Sequence, residues 1–464
     1  MALKLNYQNT LAETVGSNAG ITQNIIEGYQ QKTNQIHQKL EELRASGKLG
    51  FYSLPHQPET VRKIQDFADS HREDFDQVVV LGIGGSALGM IALRSALLHT
   101  HHNMLHYNAR GERPRIFVPD NIDPDRMAGL FDLVNLDRTL WIVISKSGST
   151  AETMSQFLIV KDKLQNSMGK REHKKHIVAI TDPEKGILRK IVNEEGYTAF
   201  DVPSNVGGRF SVLSTVGLVP AALAGIDIAS LLAGAGSMAD RCISPLLSTN
   251  PAYLSAVLHH WHYTKGRKIA VMLSYSHALR DVSDWFRQMW AESLGKRLDI
   301  NNKEICTGPT PIKAVGATDQ HSQLQLYLDG PADKFITFLS VENFNHDIVI
   351  PEIEEESLKY LGSHNLGELF KAEERATRLA LTKKGRPNCT IIVPKVDAHH
   401  LGELFYMLSL QTAFAGGLWE VNPFDQPAVE QGKNYTYGLM GRAGYENYKK
   451  EVEETIDLDS NYEI

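Results

Sequence analysis

The sequence predicts an α/β protein: two doubly wound αβα sandwich domains with parallel-type sheets, a helical N-terminal extension and C-terminal helices. Short apolar runs such as Val78-Val79-Val80-Leu81 and Trp141-Ile142-Val143-Ile144 alternate with longer stretches that are apolar at helical spacing. Strand, helix and strand repeated in this way build a parallel sheet covered on both faces. The alternation fades after Ser214 and resumes at Lys268, so two sheets are expected. A chain of 464 residues is also longer than one hydrophobic core organises.

Residues 1–70 read as a polar helical extension, broken at Gly16 and Gly20 and dense in Gln, Lys and Glu from Tyr29 to Ser46. The first sandwich domain is placed at 71–213. Its strands are Gln77–Gly82, Arg115–Pro119, Leu140–Ile144, His176–Thr181 and Thr198–Val202, and a helix runs from Ser86 to Leu98. An Ala-, Gly- and Leu-rich helical bridge fills 214–255. The second sandwich domain, 256–440, has its clearest strands at Lys268–Ser274, Phe335–Val341 and Cys389–Pro394, with helices over Val282–Lys296, Leu366–Lys384 and His399–Ala415. Residues 441–464 read as a helix and an acidic tail, Glu451–Ile464, expected to fray.

Composition excludes several classes. A net charge of −7 leaves no basic excess to neutralise a nucleic-acid backbone, so no nucleic-acid partner is expected. The three cysteines, Cys242, Cys306 and Cys389, lack metal-ligand spacing and read as reduced thiols of a cytoplasmic protein. No signal segment and no run of eighteen apolar residues is present, so no membrane association is expected.

Chemistry concentrates where strands end. The run Ser145-Lys146-Ser147-Gly148-Ser149-Thr150 lies between a buried strand and a helix start. Hydroxyls, backbone N–H groups and the positive helix end there surround a volume suited to a tetrahedral anion, better to a phosphate monoester than to a carboxylate. An ordinary helix cap needs only one such hydroxyl. Gly82, Gly84 and Ala87 formally satisfy a dinucleotide fingerprint, but no acidic residue ends a strand about 20 positions on to hold a ribose. Gly84, Gly85 and Ser86 instead suit close backbone approach to a sugar, with Ser86 donating a hydrogen bond. Arg209, after Gly207 and Gly208, is either a turn arginine or a fixed cation facing developing negative charge. Gln288 and Glu292 share one helix face. Two readings stand for Glu292: a solvated residue paired with Lys296, or a base crowded by Trp285, Phe286, Met289, Trp290 and Leu294. His321 and Lys433 carry no distinguishing local signal.

Taken together and in order, VVVLGIGGSALG, VISKSGSTAET, VGGRFSVLS, QMWAESLGK, VGATDQHSQLQL and NPFDQPAVEQGK resemble the glucose-6-phosphate isomerase family, in its bacterial form, over about residues 75–440. The resemblance implies two sugar-isomerase domains, a homodimer, and interconversion of glucose 6-phosphate and fructose 6-phosphate through ring opening and a cis-enediol, with no metal and no cofactor. It implies Glu292 as the base between C2 and C1, Arg209 beside the enediolate, and His321 with Lys433 at ring opening, His321 reaching the site from the partner subunit. Ser145, Lys146, Ser147, Ser149 and Thr150 would hold the phosphate; Gly84, Gly85, Ser86 and Gln288 would line the sugar. An isomerase of another phosphosugar, a non-catalytic phosphosugar sensor and a dehydrogenase are the competing readings. A sensor needs the phosphate loop but neither Glu292 nor His321.

Overall fold

The computed structural model describes residues 2–455. Five parallel strands form the first sheet: β2 (Gln77–Leu81), β3 (Arg115–Phe117), β4 (Thr139–Ile144), β5 (Ile177–Thr181) and β6 (Thr198–Asp201), in spatial order β3-β2-β4-β5-β6. Every residue of β2, β4 and β5 is buried, because helices cover both faces and leave no solvated side to alternate toward. Val80 lies beside Ile142 and Ile144 beside Ile180, which brings the ends of these three strands to one edge.

The second sheet runs β1-β12-β11-β7-β10, built from β1 (Lys4–Asn6), β7 (Ile269–Ser274), β10 (Thr310–Val315), β11 (Lys334–Asn343) and β12 (Asn388–Lys395). All its pairings are parallel except β1 with β12. The N-terminal segment was expected to be helical. It is so at Gln23–Gly28, Gln30–Ala45 and Pro58–Ser70, but Lys4–Asn6 is an edge strand, three residues being too few for a periodic signal. Edge strand β10 is likewise not announced by an apolar run, since only Ala314 in it is buried. A small antiparallel pair, β8 (Lys296–Leu298) and β9 (Glu304–Thr307), follows the helix Arg280–Leu294.

Between the sheets lie the helices Thr215–Leu223, Ile228–Arg241, Pro251–Thr264 and Ala398–Leu418. The last is buried on all sides over most of its length, with Leu404, Phe405, Met407, Leu408 and Phe414 fully enclosed, and it belongs to one continuous core that reaches both sheets. Separate apolar clusters cover the outer faces: Trp141, Phe157 and Val160 on the first sheet, Tyr275, Phe338 and Leu381 on the second. Two short helices close the described chain, Val429–Leu439 and Glu446–Thr455. The expected fraying of the acidic tail does not extend to Thr455, which is helical; the rest of that tail lies outside the described residues.

Candidate active site

The strand order reverses between β2 and β4: the chain crosses from β2 outward to β3 and then returns to β4 on the other side. Loops leaving the carboxyl ends of such neighbours diverge and open a crevice between them. The crevice here is a cleft of about 390 Å³. Gly84 and Gly85 from the loop after β2 form one wall, and Ser147, Ser149 and Thr150 from the loop after β4 form another. Gln288 and Glu292 of the helix Arg280–Leu294, together with Arg209, Lys433 and Tyr437, complete it.

The loop after β4 gathers hydroxyl side chains at the cleft. Gly148 has φ +65°, and a Cβ on it would lie 2.1 Å from the backbone nitrogen of Leu188, so only glycine fits. That turn lets the Gly148 N–H donate to Ser145 Oγ at 3.0 Å, while the Ser147 and Ser149 hydroxyls meet at 2.8 Å beside the cleft. Thr150 is the N-cap residue of the helix Ala151–Glu172, yet its side chain caps no backbone N–H. The bland reading of this stretch as a helix cap is therefore not what the hydroxyls do. The first N–H groups of that helix lack intrahelical acceptors, and its positive end lies at the cleft.

Two residues expected in the phosphate loop serve as braces. Ser145 is buried and does not line the cleft; its hydroxyl donates to Thr150 Oγ1 at 3.3 Å. The Lys146 ammonium donates to the carbonyls of Ser204 and Val206, at 2.6 and 3.1 Å, and burial pulls it below the usual lysine range. It fastens this loop to the segment that leads into Gly207. Ser86 also stays out of the cleft wall, its backbone N–H closing a turn onto the Ile83 carbonyl.

Gly85 decides where Arg209 sits. A Cβ at position 85 would lie 2.3 Å from the carbonyl carbon of Gly208 and 2.7 Å from the backbone nitrogen of Arg209, so the two glycine loops touch backbone to backbone. Arg209 is thereby held inside the protein, 4 % exposed. Its Nε donates to Ser293 Oγ at 2.8 Å, Nη1 to Gln426 Oε1 at 2.8 Å and to Glu292 Oε2 at 3.1 Å, and Nη2 to the carbonyls of Pro423 and Asp425. Burial pulls the guanidinium below its ordinary value, and the Glu292 carboxylate opposes that pull.

Glu292 has both oxygens engaged, Oε2 by Arg209 and Oε1 by Gln288 Nε2 at 2.9 Å. The ion pair with Lys296 expected from helical spacing is not formed. The Lys296 ammonium donates instead to the backbone carbonyl of Glu292 at 2.7 Å and to Asp425, leaving the carboxylate to the cleft. The helix ends at Leu294, so its last carbonyls lack N–H donors and a buried ammonium takes one of them.

His321 is not among these groups. It is exposed at the end of the turn Thr318–His321 after β10 and does not line the cleft of its own chain. Lys433 does line it, paired with Glu430 at 2.7 Å. Gln426 and Tyr437 were not singled out from sequence. Gln426 holds Arg209, and the Tyr437 hydroxyl donates to the Ser149 carbonyl at 3.0 Å. Both contacts join positions more than 200 residues apart, 217 and 288, and only the motif around Lys433 hinted that this segment belonged to a site. Among the described residues no group of three or more His, Cys, Asp or Glu is arranged to hold a metal ion, and no helix is long and apolar enough to cross a membrane.

Residues 59–444 match the family model of phosphoglucose isomerase. The chain belongs to the phosphoglucose isomerase family. Within that family it is 46% identical to the glucose-6-phosphate isomerase of Carboxydothermus hydrogenoformans over 455 residues, 97% of each chain. It is 45% identical to that of Rubrobacter xylanophilus over 403 residues, 85% of this chain and 90% of the relative. Among solved structures, a hypothetical protein of Thermus thermophilus superposes with a TM-score of 0.85 at 34% identity, over 95% of this chain and all 100% of the other. A glucose-6-phosphate isomerase of Chlamydia trachomatis shares the fold, with a TM-score of 0.80 at 23% identity over 94% of this chain and 90% of the other.

Proposed function

We propose that the chain interconverts glucose 6-phosphate and fructose 6-phosphate, the aldose–ketose step shared by glycolysis and gluconeogenesis. One observation carries the assignment of roles: the carboxylate of Glu292 and the buried cation of Arg209 meet at 3.1 Å in a cleft whose opposite wall is a hydroxyl-rich anion loop. The phosphate binds at Ser147, Ser149, Thr150 and the start of the helix Ala151–Glu172, and this remote anchor fixes the sugar carbons beside Glu292. Gly84, Gly85 and Gln288 line the sugar; Ser86, Ser145 and Lys146 support the walls.

In the open-chain aldose, Glu292 removes the proton from C2. The C–H electron pair forms the C1–C2 double bond, and the carbonyl pair moves onto O1. Arg209 faces the resulting enediolate, a charge that only the transition state and intermediate carry. A proton then passes from the O2 hydroxyl to O1. The O2 electron pair forms the C2 carbonyl as the C1–C2 double-bond pair takes the proton back from Glu292 at C1, which yields the ketose with a hydroxyl at O1. Ring opening precedes this and needs a proton handler at the ring oxygen; His321 and Lys433 fill that role. His321 lies exposed outside its own chain's cleft, so we assign it to the cleft of a second copy in a homodimer. A cytoplasmic location agrees with three cysteines that are all free thiols.

The reaction is tested by coupled-assay conversion of fructose 6-phosphate with chelator present, for the wild type and Glu292→Gln. Losing a positioned base costs ~10²–10⁴ in rate. A wild type without turnover overturns the activity, and a Glu292→Gln variant of full activity removes Glu292 from the chemistry. The shared site is tested by mixing Glu292→Gln with His321→Ala. If the histidine acts across the interface, exchange regenerates about a quarter of the wild-type sites; if it acts within its own chain, mixing restores nothing.

A further inference from the structure

A second pocket, about 230 Å³, lies where the last turn of the helix Leu88–Leu97 meets the first turn of Arg280–Leu294. Arg94, Arg280, His99, His101 and His277 line it. Arg94 is half-buried, and among the described residues its guanidinium has no hydrogen bond and no ion pair. The carboxylates nearest in charge are already engaged. Asp281 accepts the Ser95 hydroxyl and Arg280 Nε, the latter at 3.4 Å, and Asp120 pairs with Arg126 at 2.9 Å. His102 is turned inward, its Nε2 at hydrogen-bond distance, 3.0 Å, from the Pro114 carbonyl.

A half-buried guanidinium that faces a pocket with its donors unused is placed to pair with an anion. Two arginines facing one small space match the paired oxygens of a phosphate group, Arg280 also donating from Nη1 to His277 Nε2 at 3.1 Å. The same cations repel a metal ion, and the histidines here form no metal-ligating group. The pocket also shares its scaffold with the active site. The helix that begins at Arg280 carries Gln288 and Glu292, and the helix that carries Arg94 in its last turn starts at Leu88, three residues after Gly85. Arg280 and Glu292 are about 18 Å apart along the helix axis.

We infer that this pocket binds a small phosphate-bearing anion between Arg94 and Arg280, and that its occupancy changes turnover through the helix Arg280–Leu294. The regulatory half of this inference rests on the isomerase reading; the binding half does not. The experiment is calorimetric titration of the full chain with inorganic phosphate and with glycerol 3-phosphate, which separates a free anion from a monoester. A variant with Ser149→Ala and Thr150→Ala weakens the active-site class of binding and leaves the second class intact. Arg94→Gln, and Arg280→Gln as an independent variant, weaken the second class ~10–100-fold, the worth of one charged hydrogen bond. Arg94→Lys restores part of it. Binding that disappears wholly with the serine-loop variant, or survives Arg94→Gln and Arg280→Gln unchanged, overturns the site and leaves the isomerase reading untouched. The regulatory half is read as a change of kcat at saturating fructose 6-phosphate when the anion is added, present in the wild type and absent in Arg94→Gln. Binding with kcat unmoved overturns it.

Discussion

Replacing Gly85 by alanine adds one methyl group where two backbones touch. The new Cβ would stand 2.3 Å from the carbonyl carbon of Gly208, 2.4 Å from its oxygen and 2.7 Å from the nitrogen of Arg209. None of these atoms is the end of a flexible side chain, so the loops must part by about 1 Å to reach ordinary contact. Overpacking of this kind costs about 1–3 kcal/mol. The larger effect falls on geometry. Arg209 is held on its other side by Ser293, Gln426 and the carbonyls of Pro423 and Asp425, so a displaced loop pulls its guanidinium away from Glu292. A 1 Å misplacement costs roughly 10²-fold in rate. The coupled isomerase assay should therefore show kcat falling by about that factor, with KM changed far less because the serine loop is untouched. A soluble variant with a modestly lowered Tm and kcat within about threefold of wild type would refute the reasoning, since it would mean that the loop contact does not position Arg209.

Other substitutions separate local from tertiary roles. Thr150→Ala should raise KM for fructose 6-phosphate while lowering Tm only slightly, because the side chain makes no cap bond, whose loss would cost the usual ~1 kcal/mol, and accepts only the 3.3 Å bond from Ser145 Oγ; a clear drop in Tm at unaltered KM would reverse the assignment. Lys296→Met removes the bonds to the Glu292 carbonyl and to Asp425, and should lower Tm by an amount matching about 1–3 kcal/mol, as well as kcat. Urea titration and the coupled assay check the two effects. Acid should destabilise the fold through His259, which burial pushes down from 6.5 to about 3. The unfolded chain binds a proton that the folded chain refuses, so this contribution is complete above about pH 6.5 and is lost as pH falls toward 3, reaching about 2 kcal/mol at pH 5. His259→Gln should flatten the fall of Tm between pH 6.5 and 4, and an unchanged slope would remove His259 as the cause.

The two sheets, the strands at Val78–Leu81 and Ile142–Ile144, the serine loop and the two glycine loops are legible in the order of residues alone. Each of these is written locally: a buried parallel strand is a continuous apolar run, and an anion loop is a cluster of small residues before a helix. That order also named Arg209 and Glu292 but left a bland alternative beside each, because local spacing cannot say what stands across a gap of 83 residues. Tertiary structure resolved Glu292 by turning Lys296 onto a backbone carbonyl and giving the carboxylate to Arg209 and Gln288. It moved Lys146 from the cleft to a brace on Ser204 and Val206, recruited Gln426, and made Lys4–Asn6 the antiparallel edge of a sheet whose other strands lie hundreds of residues later. It also put His321 outside its own cleft. A side chain's periodicity records the face it presents, whereas its partner depends on which distant backbone packs against that face, and packing of that kind is settled only when the whole chain is folded.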